Sequence, residues 1–143
     1  LLQIAVFLLF LLTPMTHLHL GLISLLLLTL CVIEISFGLT CVGVIIAWPM
    51  DSMQGYHAIM SVFLFPLWIF SGAAFPLEGA PGWLSLLMKL NPLTYGLQLL
   101  RECFYYGTPI HYLSPDQMTI AVAYSLVFSI ITFCAAVYLV RRR

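Results

Sequence analysis

Four long stretches of the chain contain no Asp, Glu, Lys or Arg. They cover residues 1–33, 35–50, 52–77 and 117–140 of a 143-residue sequence. A helix needs about 20 apolar residues to cross a bilayer core about 30 Å thick, and several of these stretches are that long. Because only 7% of the residues are charged and 63% are apolar, the sequence predicts an all-α, polytopic transmembrane helical bundle and excludes a soluble domain.

We expect about four spans, all within one transmembrane domain over residues 1–143. The first span is truncated and ends near Pro14, whereas the other three are long enough to cross a bilayer, with tilt where needed. Pro66 lies inside the third span and should kink it, because proline removes one backbone hydrogen bond. The predicted spans cover residues 1–12, 20–47, 56–75 and 117–140.

Residues 76–116, between the third and fourth spans, differ in composition. They contain five of the eight prolines and four of the nine glycines, which favours short helices separated by breaks. The first helix should begin at Pro81 and stop before Asn91. The second should use Asn91 as its N-cap and Pro92 as its first residue, and end near Tyr106. Since neither is long enough to cross, we expect two short re-entrant or interfacial helices.

Three arginines at the end of the last span give an orientation. Arg141, Arg142 and Arg143 directly follow the uncharged run, and clustered arginines at a span end are typical of the cytoplasmic side. Counting back along the spans then places residues 76–116 outside and the loop 48–55 in the cytoplasm.

Glu34 is the one carboxylate deep inside a predicted span. A charge at this depth costs about 2.5–3.5 kcal/mol on insertion scales, so the side chain should be protonated, hydrogen-bonded or turned toward a polar cavity. It is either a polar point on a substrate path or a hydrogen-bond partner of Ser or Thr in another span. On the fourth span, Ala121, Ser125 and Ser129 recur every four residues, which predicts a helix-packing face.

The other reactive side chains do not form a catalytic set. Histidines and cysteines show no metal-ligand spacing, and no nucleophile or carboxylate pair is placed for catalysis, so we expect no enzyme and no cofactor in this chain. Arg101 and the adjacent Glu102 project about 100° apart on a helix and should not pair. Arg101 can bind lipid phosphate or an anionic substrate, or serve as an interfacial anchor. The cysteines should be small packing residues; they are Cys31, Cys41, Cys103 and Cys134, and the histidines are His17, His19, His57 and His111.

Two motifs carry a family resemblance. The first is Ser71-Gly72 … Phe75-Pro76 followed by Pro81-Gly82-Trp83, and the second is Asn91-Pro92-Leu93-Thr94-Tyr95 followed by Arg101. In order, spacing and flanking spans, this stretch resembles the C-terminal half of ABC-2 type transporter permeases. These are the membrane subunits of ABC exporters for drugs, lipids and polysaccharides.

The resemblance implies a transmembrane subunit of an ATP-driven exporter. The subunit would form the translocation pathway for a lipid, drug or polysaccharide-type substrate in a bacterial inner membrane, with the C-terminus cytoplasmic. The chain has no G-x-x-x-x-G-K-[ST] pattern, so a cytoplasmic ABC ATPase should bind the ATP. Asp51 and Gln54 can face that ATPase, although a short polar loop is more often only a solvated turn. A second permease subunit, identical or related, is expected, and nucleic acid is not, because basic and acidic residues balance.

The family usually has six spans, so the spans here would be the third to the sixth. Leu1 already lies within an apolar run with no basic residues before it, which disfavours a signal peptide. We therefore expect an upstream part with two further spans and a cytoplasmic coupling helix.

The two motifs should form an external gate. Irregular backbone at membrane depth is tolerated only where protein or a water-lined cavity covers it. The breaks at Pro66, at Gly79–Gly82 and at Asn91–Pro92 are therefore candidate hinges. The residues assigned to the gate are Pro76, Pro81, Gly82, Trp83, Asn91, Pro92, Tyr95 and Arg101.

Two other functions remain as alternatives. One is a non-transporting membrane scaffold, and the other is a membrane-embedded cofactor enzyme that uses Glu34 and the histidines. Neither accounts for the two motifs together.

Overall fold

The computed structural model describes residues 21–73, 79–106 and 111–142. Within these ranges the secondary structure consists of helices and turns, without strands. The helices are α1 (Leu22–Ala47), α2 (Met53–Trp68), which continues into a π-helical turn (Ile69–Ala73), α3 (Gly82–Leu90), α4 (Pro92–Tyr105) and α5 (Pro115–Arg141).

Three of these elements are long and apolar enough to cross a membrane: α1, α2 together with its π-helical turn, and α5. This confirms the predicted membrane-type helical bundle. The predicted spans 20–47, 56–75 and 117–140 correspond to these three elements, with ends that differ by at most three residues. The predicted span 1–12 lies outside the described residues, so the count of about four spans stays a prediction.

The starts of α2 and α5 are set by local side-chain chemistry. Ser52 accepts a hydrogen bond from the Gly55 N–H at 3.0 Å and caps α2, which therefore begins earlier than predicted. Ser114 and Gln117 form a reciprocal capping box at the start of α5, with Pro115 in the first turn.

The core of the bundle is the contact between α1 and α5. The side chains of α5 at this contact are small and buried, as the four-residue recurrence predicted. They are those of Ala121, Ser125, Ser129, Thr132 and Ala136. A Cβ atom added at Gly38 of α1 would stand 2.7 Å from the Ser129 Oγ. The absence of a side chain at Gly38 therefore allows the two helices to approach closely.

The short helix α4 packs between the long ones, in contact with both α1 and α5. Gly96 sits against Ile35, whose side-chain carbons would lie 2.9 Å from a Cβ at this glycine. Pro92, at the start of α4, lines the same small cavity as Leu39, which is about 25 Å along α1 from its first residue. The junction between α3 and α4 therefore lies well down the length of α1, as in a re-entrant pair of helices.

One sequence prediction about the start of a helix needs correction. Pro81 was expected as the first helical residue, but it is the N-cap of α3, which begins at Gly82. Pro66 lies inside α2, which continues through it to Trp68, and the expected kink at Pro66 stays a prediction. The non-helical residue is Gly72, with φ of 87° and ψ of 6°. The Ile69 N–H is shared between the carbonyls of Phe65 and Pro66. Beyond Pro66 the backbone therefore changes from α-helical to π-helical hydrogen bonding, and the helical conformation ends at Gly72.

Candidate functional site

The broken end of α2 is the least regular backbone among the described residues of the long helices. Gly72 has the left-handed conformation that glycine adopts at no steric cost, and Met88 of α3, fully buried, packs over it. Ser71 supports the turn locally, since its hydroxyl donates to the Trp68 carbonyl at 2.6 Å and accepts from the Ala73 N–H at 3.3 Å. The last carbonyls of any helix lack intrahelical hydrogen-bond donors. At the end of α2, side chains from another helix supply these donors.

Three side chains at the start of and along α4 bind these carbonyls. The Asn91 amide donates to the Leu67 carbonyl at 2.6 Å. The Thr94 hydroxyl donates to the Phe70 carbonyl at 3.3 Å, and the Arg101 guanidinium donates to the Gly72 carbonyl at 2.9 Å. We call Asn91, Thr94 and Arg101 the carbonyl clamp. Their spacing of three and then seven residues puts them on one face of α4.

Asn91 has two structural roles at once. Its Oδ1 accepts from the Leu93 N–H at 3.0 Å and caps α4, as the sequence predicted, while its amide nitrogen holds the end of α2. Asn91 is 5% exposed and Thr94 is 2% exposed. Buried polar groups are costly unless hydrogen-bonded, so the clamp is a satisfied polar network inside an apolar bundle.

Two tyrosines hold the end of α3 in a similar way. Tyr95 donates to the Lys89 carbonyl at 2.8 Å, and Tyr124 of α5 donates to the Leu90 carbonyl at 3.1 Å. The two rings stack with centroids 4.3 Å apart. The predicted gate residue Tyr95 therefore helps to fix α3 against α4 and α5.

Glu34 lies on the side of α4 opposite the clamp. Ser129 of α5 donates to the Glu34 Oε1 at 2.7 Å, the kind of contact with a hydroxyl of another span that the sequence offered as one interpretation. Glu34 and Ser129 also line a cavity of about 10 Å³ together with Pro92 and Leu93, which is the volume needed by about one water molecule. The N-terminus of α4, the positive end of its dipole, therefore adjoins the carboxylate.

Glu102 fastens the other end of α4. The residue is 7% exposed. Its carboxylate accepts hydrogen bonds from the backbone N–H groups of Tyr112 and Leu113 at 2.8 and 3.2 Å and from the His111 ring at 3.0 Å. Burial raises the pKa of Glu102, but these hydrogen bonds and the nearby histidine lower it by more. The net pKa therefore lies below its ordinary value. Glu102 thus ties α4 to the chain that leads into α5.

Sequence reasoning missed two contacts. The first is this binding of residues 111–113 by Glu102. The second joins Cys31 of α1 to Cys103 of α4, whose Sγ atoms are 3.7 Å apart although 72 residues separate them in the chain. Both cysteines are free thiols. In the structure Glu102 and Cys103 are both buried residues of α4, but no sequence pattern identifies their distant partners.

The other predicted site residues are spread over the surface of the bundle. Trp83, on α3, is 65% exposed. Asp51 lies in the exposed loop between α1 and α2, and Gln54 in the first turn of α2. Arg141 ends α5, and Arg142 lies 6.0 Å from the centroid of the Tyr138 ring. His57 is exposed. The predicted residues Pro76, Arg143, His17 and His19 fall outside the described residues.

Comparison with known proteins gives one match. The family model described as ABC-2 type transporter matches residues 1–105, which include α1, α2, the π-helical turn, α3, α4 and every residue of the carbonyl clamp. No curated protein and no solved structure gives a significant match. The match covers more than half of the chain, and the apolar helices are those of an integral membrane protein. This chain therefore belongs to the ABC-2 type transporter family, as a membrane permease component of a transporter.

Proposed function

We propose that the chain is part of the transmembrane subunit of an ATP-driven exporter. In this proposal a separate cytoplasmic ABC ATPase supplies the energy, and a second permease subunit completes the pathway for a lipid, drug or polysaccharide-type substrate. Family membership supports the permease role. The observation that carries the proposal is the carbonyl clamp, which joins a broken span to a short helix inside the bundle.

The clamp has the properties that a gate needs. Its bonds join side chains to carbonyls at the end of α2, so they can break without unwinding either helix. Each is worth only about 1 kcal/mol net, or about 2 kcal/mol for the charged Arg101, so conformational coupling of about 1–3 kcal/mol is enough to break them one at a time. In this proposal α3 and α4 close the pathway while the clamp is made, and ATP-driven movement of α2 opens it.

The proposed orientation places the arginines in the cytoplasm and α3 and α4 toward the outside of a bacterial inner membrane. Arg141 and Val44 line a common groove, so the ends of α5 and α1 lie side by side. The exposed loop with Asp51 follows α1 directly and is therefore at the same end of the bundle as the arginines. This is the end that the ATPase would contact.

Cross-linking of the Cys31–Cys103 pair tests which parts of the gate move. A disulfide needs the two sulfur atoms at about 2.05 Å, and these start 3.7 Å apart, so copper phenanthroline should join α1 to α4. The full-length permease would carry Cys41→Ser and Cys134→Ser and would be reconstituted with its ATPase in proteoliposomes. The cross-linked protein should still hydrolyse ATP at the full rate, because the disulfide joins α1 to α4 and leaves the end of α2 free to move.

The matched control is the same protein with Cys103→Ser, which oxidant should leave fully active. A completely cross-linked protein that loses ATP hydrolysis, while the Cys103→Ser protein keeps it, would contradict this gate, because α4 would then have to move against α1. The ATPase partnership has its own test: a tagged full-length permease should co-purify with a subunit that contains the G-x-x-x-x-G-K-[ST] motif. Repeated purification without such a subunit would favour the scaffold alternative.

A further inference from the structure

An apolar groove runs between α1 and α5 at the end of the bundle that carries the arginines. Its volume is about 350 Å³, within the range of small-molecule sites. Phe37 and Phe133 close one end, with ring centroids 5.5 Å apart. Its walls include Val44, Val137 and Val140, and Arg141 stands at the other end.

The interior of the groove offers no free polar group. The Thr40 hydroxyl, which reaches the groove wall, already donates to the Ser36 carbonyl at 2.7 Å. Cys41 is buried and adds only a weakly polar thiol. A ligand held along this wall therefore gains from apolar contact alone, as a hydrocarbon chain does, and a polar substrate would lose its hydrogen bonds to water there.

The length of the groove fits one leaflet of a bilayer. Phe133 and Arg141 are eight residues apart on α5, or about 12 Å along the helix axis. Half of a 30 Å hydrocarbon core is about 15 Å. A chain whose charged end is at Arg141 would thus reach the phenylalanines without crossing the midplane.

The charge at the mouth of the groove is unpaired. Among the described residues Arg141 makes no ion pair, and no carboxylate lines the groove. Arg142 differs, because its guanidinium lies over the Tyr138 ring and does not line the groove. Guanidinium groups bind phosphate in a planar, bidentate way, so the free donor at the mouth favours a phosphate-bearing head group.

We propose that this groove is a binding site for one anionic membrane phospholipid. An acyl chain lies along the groove between α1 and α5, and the head-group phosphate is bound by Arg141. The lipid fills the gap beside the α1–α5 contact. This site is separate from the carbonyl clamp and does not depend on the proposed export function.

Native mass spectrometry of the full-length permease tests the site through its charge. Protein released from detergent after incubation with phosphatidylglycerol should retain one tightly bound lipid per chain. Arg141→Gln should weaken retention by about fivefold, the effect of one basic residue near anionic lipid, whereas the matched variant Arg142→Gln should retain the lipid like the unmodified protein. Equal losses in both variants would overturn the proposal, because the attraction would then be a diffuse effect of positive charge.

A second pair of variants tests the groove through its shape. Val140→Trp should fill the groove and reduce retention of phosphatidylglycerol, whereas Val127→Trp, at a residue of α5 that is 53% exposed and outside the groove, should not. Unchanged lipid retention in Val140→Trp would overturn the proposal. So would a loss of dimer mass in Val140→Trp alone, because the groove would then be an interface between two copies of the permease.

Discussion

The two sides of α4 are attached to the bundle by different kinds of interaction. On the side of α1 and α5, contact is close and involves small residues: Gly96 lies against Ile35, and beyond it Gly38 lies against Ser129. On the side of α2, three side chains reach single carbonyl oxygens at the end of a helix. Close packing leaves no space for movement without a cost in energy, whereas individual hydrogen bonds can be exchanged.

This difference indicates which contacts can change during transport. A rigid unit would contain α1, α4 and α5, joined by the small-residue contacts. The end of α2 would be the moving part, since its π-helical turn and the left-handed Gly72 already depart from regular geometry. Variants on the two sides of α4 should therefore differ in kind: packing variants should lower stability, and clamp variants should alter gating as well.

The largest effect is expected at the α1–α5 contact. In Gly38→Ala the new methyl group would stand 2.7 Å from the Ser129 Oγ and 3.2 Å from the Phe128 ring, so the helices must separate. Overpacking of this kind costs about 3 kcal/mol. Gly43→Ala on the same helix is the control, because nothing lies within 4 Å of its Cβ position. Thermal unfolding in detergent should show a lower Tm for Gly38→Ala and no decrease in Tm for Gly43→Ala. Equal shifts would contradict tight packing at Gly38.

A smaller effect is expected at the clamp, where Asn91 can be divided into its two roles. Asn91→Asp keeps the cap of α4, because aspartate caps as well as asparagine, but it removes the donor to the Leu67 carbonyl and turns a carboxylate toward it. Asn91→Ala removes both contacts and should lower stability by about 2 kcal/mol. Thermal unfolding and ATP hydrolysis by the reconstituted complex should be compared in both variants.

The two Asn91 variants should separate gating from folding. Asn91→Asp is expected to impair coupled ATP hydrolysis about as much as Asn91→Ala, since both lose the bond to α2. If Asn91→Asp kept full coupling, the bond to Leu67 would have no part in the gate and Asn91 would be only a helix cap.

Local chemistry explains what the sequence could predict. The cap at Asn91 with Pro92 in the first position follows from side chains that act on neighbouring backbone, and the structure has it as predicted. The packing face of α5 follows from a four-residue period, and burial of Ala121, Ser125 and Ser129 confirms it. Signals of this kind need no knowledge of which helices are neighbours.

Local sequence patterns could not predict hydrogen bonds between residues that lie far apart in the chain. The acceptors of the clamp are backbone carbonyls, which every residue carries, so no sequence pattern marks Leu67, Phe70 or Gly72 as the bound ones. The sequence also did not predict the break at Gly72, because proline marks a missing donor, whereas the non-helical residue here is a glycine that lies against Met88. For the same reason Arg101 was interpreted as an interfacial or substrate-binding residue, although its guanidinium holds the Gly72 carbonyl.

The smallest expected effect concerns the far end of α4, where Glu102 provides a third kind of attachment, a buried carboxylate that binds backbone N–H groups. Glu102→Gln keeps an oxygen acceptor but loses the charge, and should lower stability by about 1 kcal/mol at neutral pH. The folded-state pKa of Glu102 lies below the ordinary 4.5. Its contribution is therefore fully present above pH 4.5 and is lost as the pH falls from 4.5 through that lower value.

The Tm difference between the unmodified protein and Glu102→Gln should accordingly shrink below pH 4.5, whereas Asp51→Asn, in the exposed loop, should show no difference at any pH. A Tm difference that stayed constant down to pH 3 would mean that Glu102 stabilises the segment before α5 through shape and not through its charge, and that the end of α4 is held, like its inner side, by packing.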